Sequence, residues 1–163
     1  FSDLLNKKIN FAIPTLGQNH HVVSLALKEK NPQLEIVPMG SDIKALPALL
    51  NKEVDALAIS APIANEWVAQ HPQLKIIANI PVGKPFVSNG VVLENMNFWG
   101  LFVNRDASAE QKQSALNCVN QAAAQPGHDE DFKRVGITTR RTVGAEKDKL
   151  LSDYIRVMKK YGL

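Results

Sequence analysis

Four short apolar runs, at residues 9–13, 34–37, 54–59 and 74–80, alternate with stretches of helical spacing, and this alternation constrains the fold more than any other feature of the chain. Each run reads as a buried strand. The first is followed by a predicted helix over 19–30, ended by Asn31 and Pro32. The second leads through Pro38, Met39 and Gly40 to a helix that reaches about Lys52, with Ile43, Leu46, Leu49 and Leu50 as its apolar positions. Pro47 falls inside that helix, so an irregular or 3₁₀ start is expected over 41–45. The third run is followed by Ser60, Ala61 and Pro62, a helix-opening signature, then by Ile63, Trp67 and Val68 on one face and a stop at His71 and Pro72. Four strand–helix units with short connections predict an α/β fold, a parallel sheet with helices on both faces.

In such sheets ligands sit beyond the carboxyl ends of the strands. The turn after the first run carries Thr15, Gly17, Gln18 and Asn19. A turn of this kind leaves the first helical N–H groups without partners beside the positive end of the helix dipole, and glycine lets the backbone approach a bound group. The residues therefore form a candidate cradle for a carboxylate or phosphate. Gly40 and Ser41 after the second run, and Ser60 after the third, are predicted on the same rim. Turn formation and helix capping alone would also explain all seven residues. Asp55 opens a strand and is expected to steady a loop, while Trp67 and Trp99 are expected in the core.

The texture changes at Pro81. Residues 81–97, with Gly83, Pro85 and Ser88-Asn89-Gly90 around one short apolar run at 91–93, read as a crossover between the lobe formed by 1–80 and the remainder, 98–163. In that remainder a strand is predicted over 98–103, and Ser108 with Gln111 has the spacing of a capping box. The box opens a helix to about Gln125 with Ala115, Leu116, Val119 and Ala122 facing inward. Pro126 and Gly127 break it, a short helix runs through Phe132, residues 137–143 read as extended, and an amphipathic helix closes the chain over 145–160.

With 163 residues, 45% of them hydrophobic, the chain can bury one ordinary core or two small lobes. A net charge of +3, with basic residues spread among acids and one basic pair at Arg140 and Arg141, gives no nucleic-acid footprint. No run approaches the roughly 18 apolar residues of a membrane span. The single cysteine, Cys118, excludes an intramolecular disulfide and is expected to be a buried structural thiol. His20 and His21 point about 100° apart on a helix, and no Cys/His/Asp spacing of the zinc type occurs, so neither a metal nor a cofactor is expected. A Ser60–His21–Asp55 triad fails because there is no G-x-S-x-G elbow and Asp55 lies at the far end of its strand from Ser60.

The ordered set of pieces resembles the solute-binding proteins of tripartite tricarboxylate transporters, a family of bacterial periplasmic receptors. The family's strand, Gly-x-Gly-Ser turn and helix with an early histidine is similar to residues 11–22, with Gly17 as the second glycine and His21 as the histidine. Its Val-Pro-Tyr-Lys-Gly turn, apolar helix and Val-Asp strand start resemble Val37-Pro38, Leu49-Leu50 and Val54-Asp55. Its Trp-Phe-Gly-Leu strand resembles Phe98-Trp99-Gly100-Leu101, and its Leu-x-x-Gly element and terminal helix resemble Phe132 to Gly136 and Tyr161-Gly162. There are departures: Thr15 stands for the first glycine, Met39-Gly40 for Tyr-Lys, and the family's first hundred or so residues have no counterpart.

The resemblance implies a type II periplasmic-binding-protein-like fold with its first lobe largely missing. It implies a receptor and no catalysis: a small carboxylate held in a cleft at Thr15, Gly17, Gln18, Asn19, Gly40, Ser41 and Ser60, then presented to a membrane permease from the periplasm. No signal peptide is visible, and a start at Phe1 is expected to reflect processing or trimming. An effector-sensing domain of a transcriptional regulator, or an enzyme on the same fold with Lys44 at its rim, remain open alternatives.

Overall fold

The computed structural model describes residues 1–98, 100–134, 139 and 142–163, which divide into two compact units, Phe1–Asn97 with Val143–Leu163, and Phe98–Thr142. The first unit is built on a three-stranded parallel sheet of order β2-β1-β3. β1 (Ile9–Ile13) lies at the centre, flanked by β2 (Leu34–Pro38) and the two-residue β3 (Ala56–Leu57). Ile9 pairs with Leu34 and Ile13 with Pro38 on one side, and Phe11 with Ala56 and Ala12 with Leu57 on the other.

Four of the five β1 residues are buried, the pattern of a strand covered on both faces. Its side chains alternate between two apolar clusters, as the period of two requires. Ile9, Phe11 and Ile13 join Val23, Ala26 and Leu27 of α2 (Asn19–Lys30), Leu4 of α1 (Ser2–Asn6), and Val91 and Leu93. Ala12 faces Ala48 of α3 (Asp42–Leu50) and Val54. Helices therefore cover both faces of the sheet. α4 (Ala61–Gln70) follows β3, with Pro62 in its first turn and His71 as its C-cap.

α3 runs through Pro47 as one α-helix and has no irregular start. Proline at its sixth position removes only the bond that the Ile43 carbonyl would accept, and Ile43 is 82% exposed, so water can serve that carbonyl. The face that α3 buries is Ala45 and Ala48, small enough for close approach to Ala12.

The fourth predicted strand does not form. Residues 74–80 carry no strand, and Ile76 and Ile77 are 45% and 42% exposed. β3 pairs over only two residues and offers little edge to extend. The Ile80 carbonyl is taken instead by Asn95 Nδ2 at 2.8 Å. Residues 81–97 contain more than a crossover: β4 (Phe86–Ser88) and β5 (Val91–Leu93) form an antiparallel hairpin. Asn89 and Gly90 turn it, both with positive φ, as the tight two-residue hairpin turn demands. Val91 and Leu93 dip from it into the core.

In the second unit, α5 (Ala109–Ala123) opens on a complete capping box: Ser108 Oγ accepts from the Gln111 N–H and the Gln111 side chain accepts from the Ser108 N–H. The expected inward face is not buried. Leu116 and Val119 are 45% and 40% exposed, and Cys118 is exposed rather than a core thiol. Neither α5 nor α6 (His128–Arg134) has a buried residue, because a unit this small encloses little volume. No strand occurs among the described residues of 98–103; Trp99 and most of the predicted extended segment at 137–143 lie outside the described residues. The last helix, α7 (Gly144–Lys160), belongs to the first unit, buries Val157, and pairs Lys160 with Glu29 and Arg156 with Glu94.

Candidate functional site

Because β1, β2 and β3 are parallel neighbours, the loops that follow them lie on one edge of the sheet. Backbone pairing continues into those loops: Met39 N–H donates to the Ile13 carbonyl at 2.9 Å and Ala58 N–H to the Ala12 carbonyl at 3.1 Å. The helices that follow, α2, α3 and α4, start at this rim with Gln18, Ser41 and Ser60 as N-caps. None of the three caps its helix with its side chain, in contrast to Ser108 on α5. The His21 N–H donates to the Gln18 carbonyl at 2.9 Å and Pro62 has no N–H, and the other first-turn amides are left to solvent or to a ligand. α2 and α4 have no acid in the first turn, so the positive ends of their dipoles are not neutralised there, whereas α3 carries Asp42.

Thr15, Gly17 and Gln18 are exposed on the first loop, Gly40 and Ser41 form the second, and Ser60 is exposed at the third. Gly17 and Gly40 hold φ of 74° and 80°, which their lack of a Cβ permits. The Gly17 N–H is engaged: it donates to His21 Nδ1 at 3.1 Å. Asn19 is engaged as well. Its Nδ2 donates to Asn95 Oδ1 at 3.1 Å, and its Oδ1 accepts from the Met96 N–H at 3.1 Å. Asn19 therefore braces the rim through Oδ1 and one of the two Nδ2 hydrogens. Asp55 Oδ2 accepts the Asn10 N–H at 2.8 Å at the opposite end of the sheet, which ties the start of β3 to β1 rather than to a loop.

Two polar groups at the rim were not among the predicted site residues. His20 Nδ1 and Asp42 Oδ1 are buried with no hydrogen-bond partner. Burial holds the His20 imidazole below the usual histidine range, and the Asp42 carboxylate opposes that in part. Burial also lowers His21. Nothing in the spacing marks either His20 or Asp42, since each is an ordinary first-turn residue of its own helix. No group of His, Cys, Asp and Glu able to hold a metal ion occurs among the described residues. One surface depression runs along α5 and another lies beside α1 at Ser2, Leu5, Asn6, Lys30 and Asn89; neither is lined by the rim loops.

No family model, curated protein or solved structure matches this chain. The likeness to the tricarboxylate receptors stands on the pattern of motifs alone.

Proposed function

We propose that this chain is the ligand-holding part of an extracytoplasmic solute-binding protein, with a type II periplasmic-binding-like fold, that captures a small carboxylate for a membrane permease. One observation carries the reading: three helix N-termini without side-chain caps meet one edge of a parallel sheet. A carboxylate there would accept charge-assisted hydrogen bonds from first-turn amides, with Thr15, Ser41 and Ser60 as side-chain donors. The solvent exposure of Thr15, Gly17, Gln18, Gly40 and Ser60 agrees with a site completed by a second wall closing over it. The motif order that resembles the tricarboxylate receptors supports the ligand class and the transport role.

Thermal melts of the chain against mono-, di- and tricarboxylates, with phosphate and sulfate as controls, test the reading. Ligand at about a hundred times Kd adds roughly 2.7 kcal/mol to stability, an easily seen shift. The expected result is a shift with a carboxylate and not with sulfate, diminished by Thr15→Val and by Ser60→Ala. No shift with any carboxylate up to millimolar concentration would count against a site on this chain.

A further inference from the structure

We propose that His21 at the start of α2 forms a proton-operated switch, in which protonation of its ring releases the Gly17 amide. The bond from Gly17 N–H to His21 Nδ1, 3.1 Å long, requires a lone pair on that nitrogen. Neutral His21 must then carry its hydrogen on Nε2, and the imidazolium, a donor at both nitrogens, cannot accept the bond at all. The histidine at the third position of α2 thus accepts from the amide of the residue before the N-cap Gln18, which makes a helix-start contact pH-sensitive. Gly17, at φ 74°, is held in a left-handed turn on the loop between β1 and α2, so this contact is one that fixes the loop.

His20, the neighbouring ring, takes no part in this contact: its Nδ1 is buried without a partner, as is Oδ1 of Asp42. Asp42 is the charged group that acts on His20, burial alone acts on His21, and α2 has no acid in its first turn. Acid thus removes a tie within the first loop. The latch stands on its own geometry; on the carboxylate reading it also decides when the Gly17 amide is available to an anion.

The switch is testable without ligand. Long-range nitrogen–proton spectra of the histidine rings, recorded on the whole chain from pH 8 to pH 5 with amide exchange of Gly17, should show three things. Neutral His21 carries its proton on Nε2. The Gly17 amide resonance moves with the His21 midpoint and loses protection below it. His21→Gln, which keeps an acceptor at all pH, preserves Gly17 protection and abolishes its pH dependence, while Asp42→Asn shifts the His20 midpoint down and leaves Gly17 unaffected. An Nδ1–H tautomer of neutral His21, or a Gly17 amide that does not respond as His21 titrates, overturns the proposal.

Discussion

Asn19 and Asn95, 76 positions apart in the chain, meet side chain to side chain at 3.1 Å. Each amide is used on both sides: Asn19 Oδ1 takes the Met96 N–H, Asn95 Nδ2 donates to the Ile80 carbonyl, and Asn95 Oδ1 also takes the Asn97 N–H. The pair fastens the first turn of α2 to the segment that follows the hairpin. Removing either side chain leaves partly buried groups unpaired, so Asn19→Leu and Asn95→Ala should each cost about 1–3 kcal/mol in urea unfolding. The double variant should cost less than the sum of the two, because the members share one network. Additive losses would show that the amides act independently.

Asn31 does comparable service at the other end of α2. It is buried, its Nδ2 donates to the Leu4 and Lys7 carbonyls at 2.9 and 2.7 Å, and its Oδ1 accepts the Gln33 N–H. Asn31→Asp replaces the donor with a second acceptor facing two carbonyls. It should destabilise the chain by roughly 2–4 kcal/mol at neutral pH, with recovery as acid protonates the new carboxyl. Asn31→Leu, which strands the same carbonyls without adding charge, should cost less and show no such recovery. Equal pH profiles for the two variants would contradict the assignment.

The parts of the fold legible in the sequence are those written in adjacent residues. The 9–13 run, the Asn31-Pro32 stop and the Ser108–Gln111 box placed β1, α2 and the start of α5 because local sterics and capping chemistry decide them. The 74–80 run misled because an apolar stretch reports burial potential and not pairing: Ile76 and Ile77 stay exposed beside a two-residue β3. The hairpin was readable from Asn89-Gly90, a strong two-residue turn signal that the surrounding Pro and Gly obscured. At the rim, the loops and their caps follow from the strand–helix alternation. The engagement of Asn19 by Asn95, and the burial of His20 Nδ1 and Asp42 Oδ1 without partners, depend on tertiary placement and leave no local trace.

The capping box on α5 gives a prediction confined to the second unit. With few buried contacts to hold it, α5 depends more on its own hydrogen bonds than a core helix does. Ser108→Ala should cost about 1 kcal/mol of local stability, read as faster amide exchange in the first turns of α5. Exchange in β1 and α2 should be unchanged. Equal acceleration in both units would mean that they unfold together.

Both rim histidines bind protons less readily in the folded chain than in the unfolded one, for which the reference value is 6.5. Their contribution to stability is therefore fully present above pH 6.5, where both states are neutral. It declines as pH falls below that value, because the unfolded chain takes up protons first, and it is lost once pH passes the lowered folded values. Denaturation midpoints should accordingly drop between pH 7 and pH 5. His20→Asn should flatten more of that slope than His21→Gln, since His20 is the more deeply buried ring. Asp42→Asn should steepen it, because removing the carboxylate lets desolvation lower His20 further. Asp153, held below 3.8 chiefly by its hydrogen bond from Lys149, acts in a separate acid window and leaves this one undisturbed. A midpoint that stays level from pH 7 to pH 5 in the unmodified chain would mean that neither ring is held neutral by the fold.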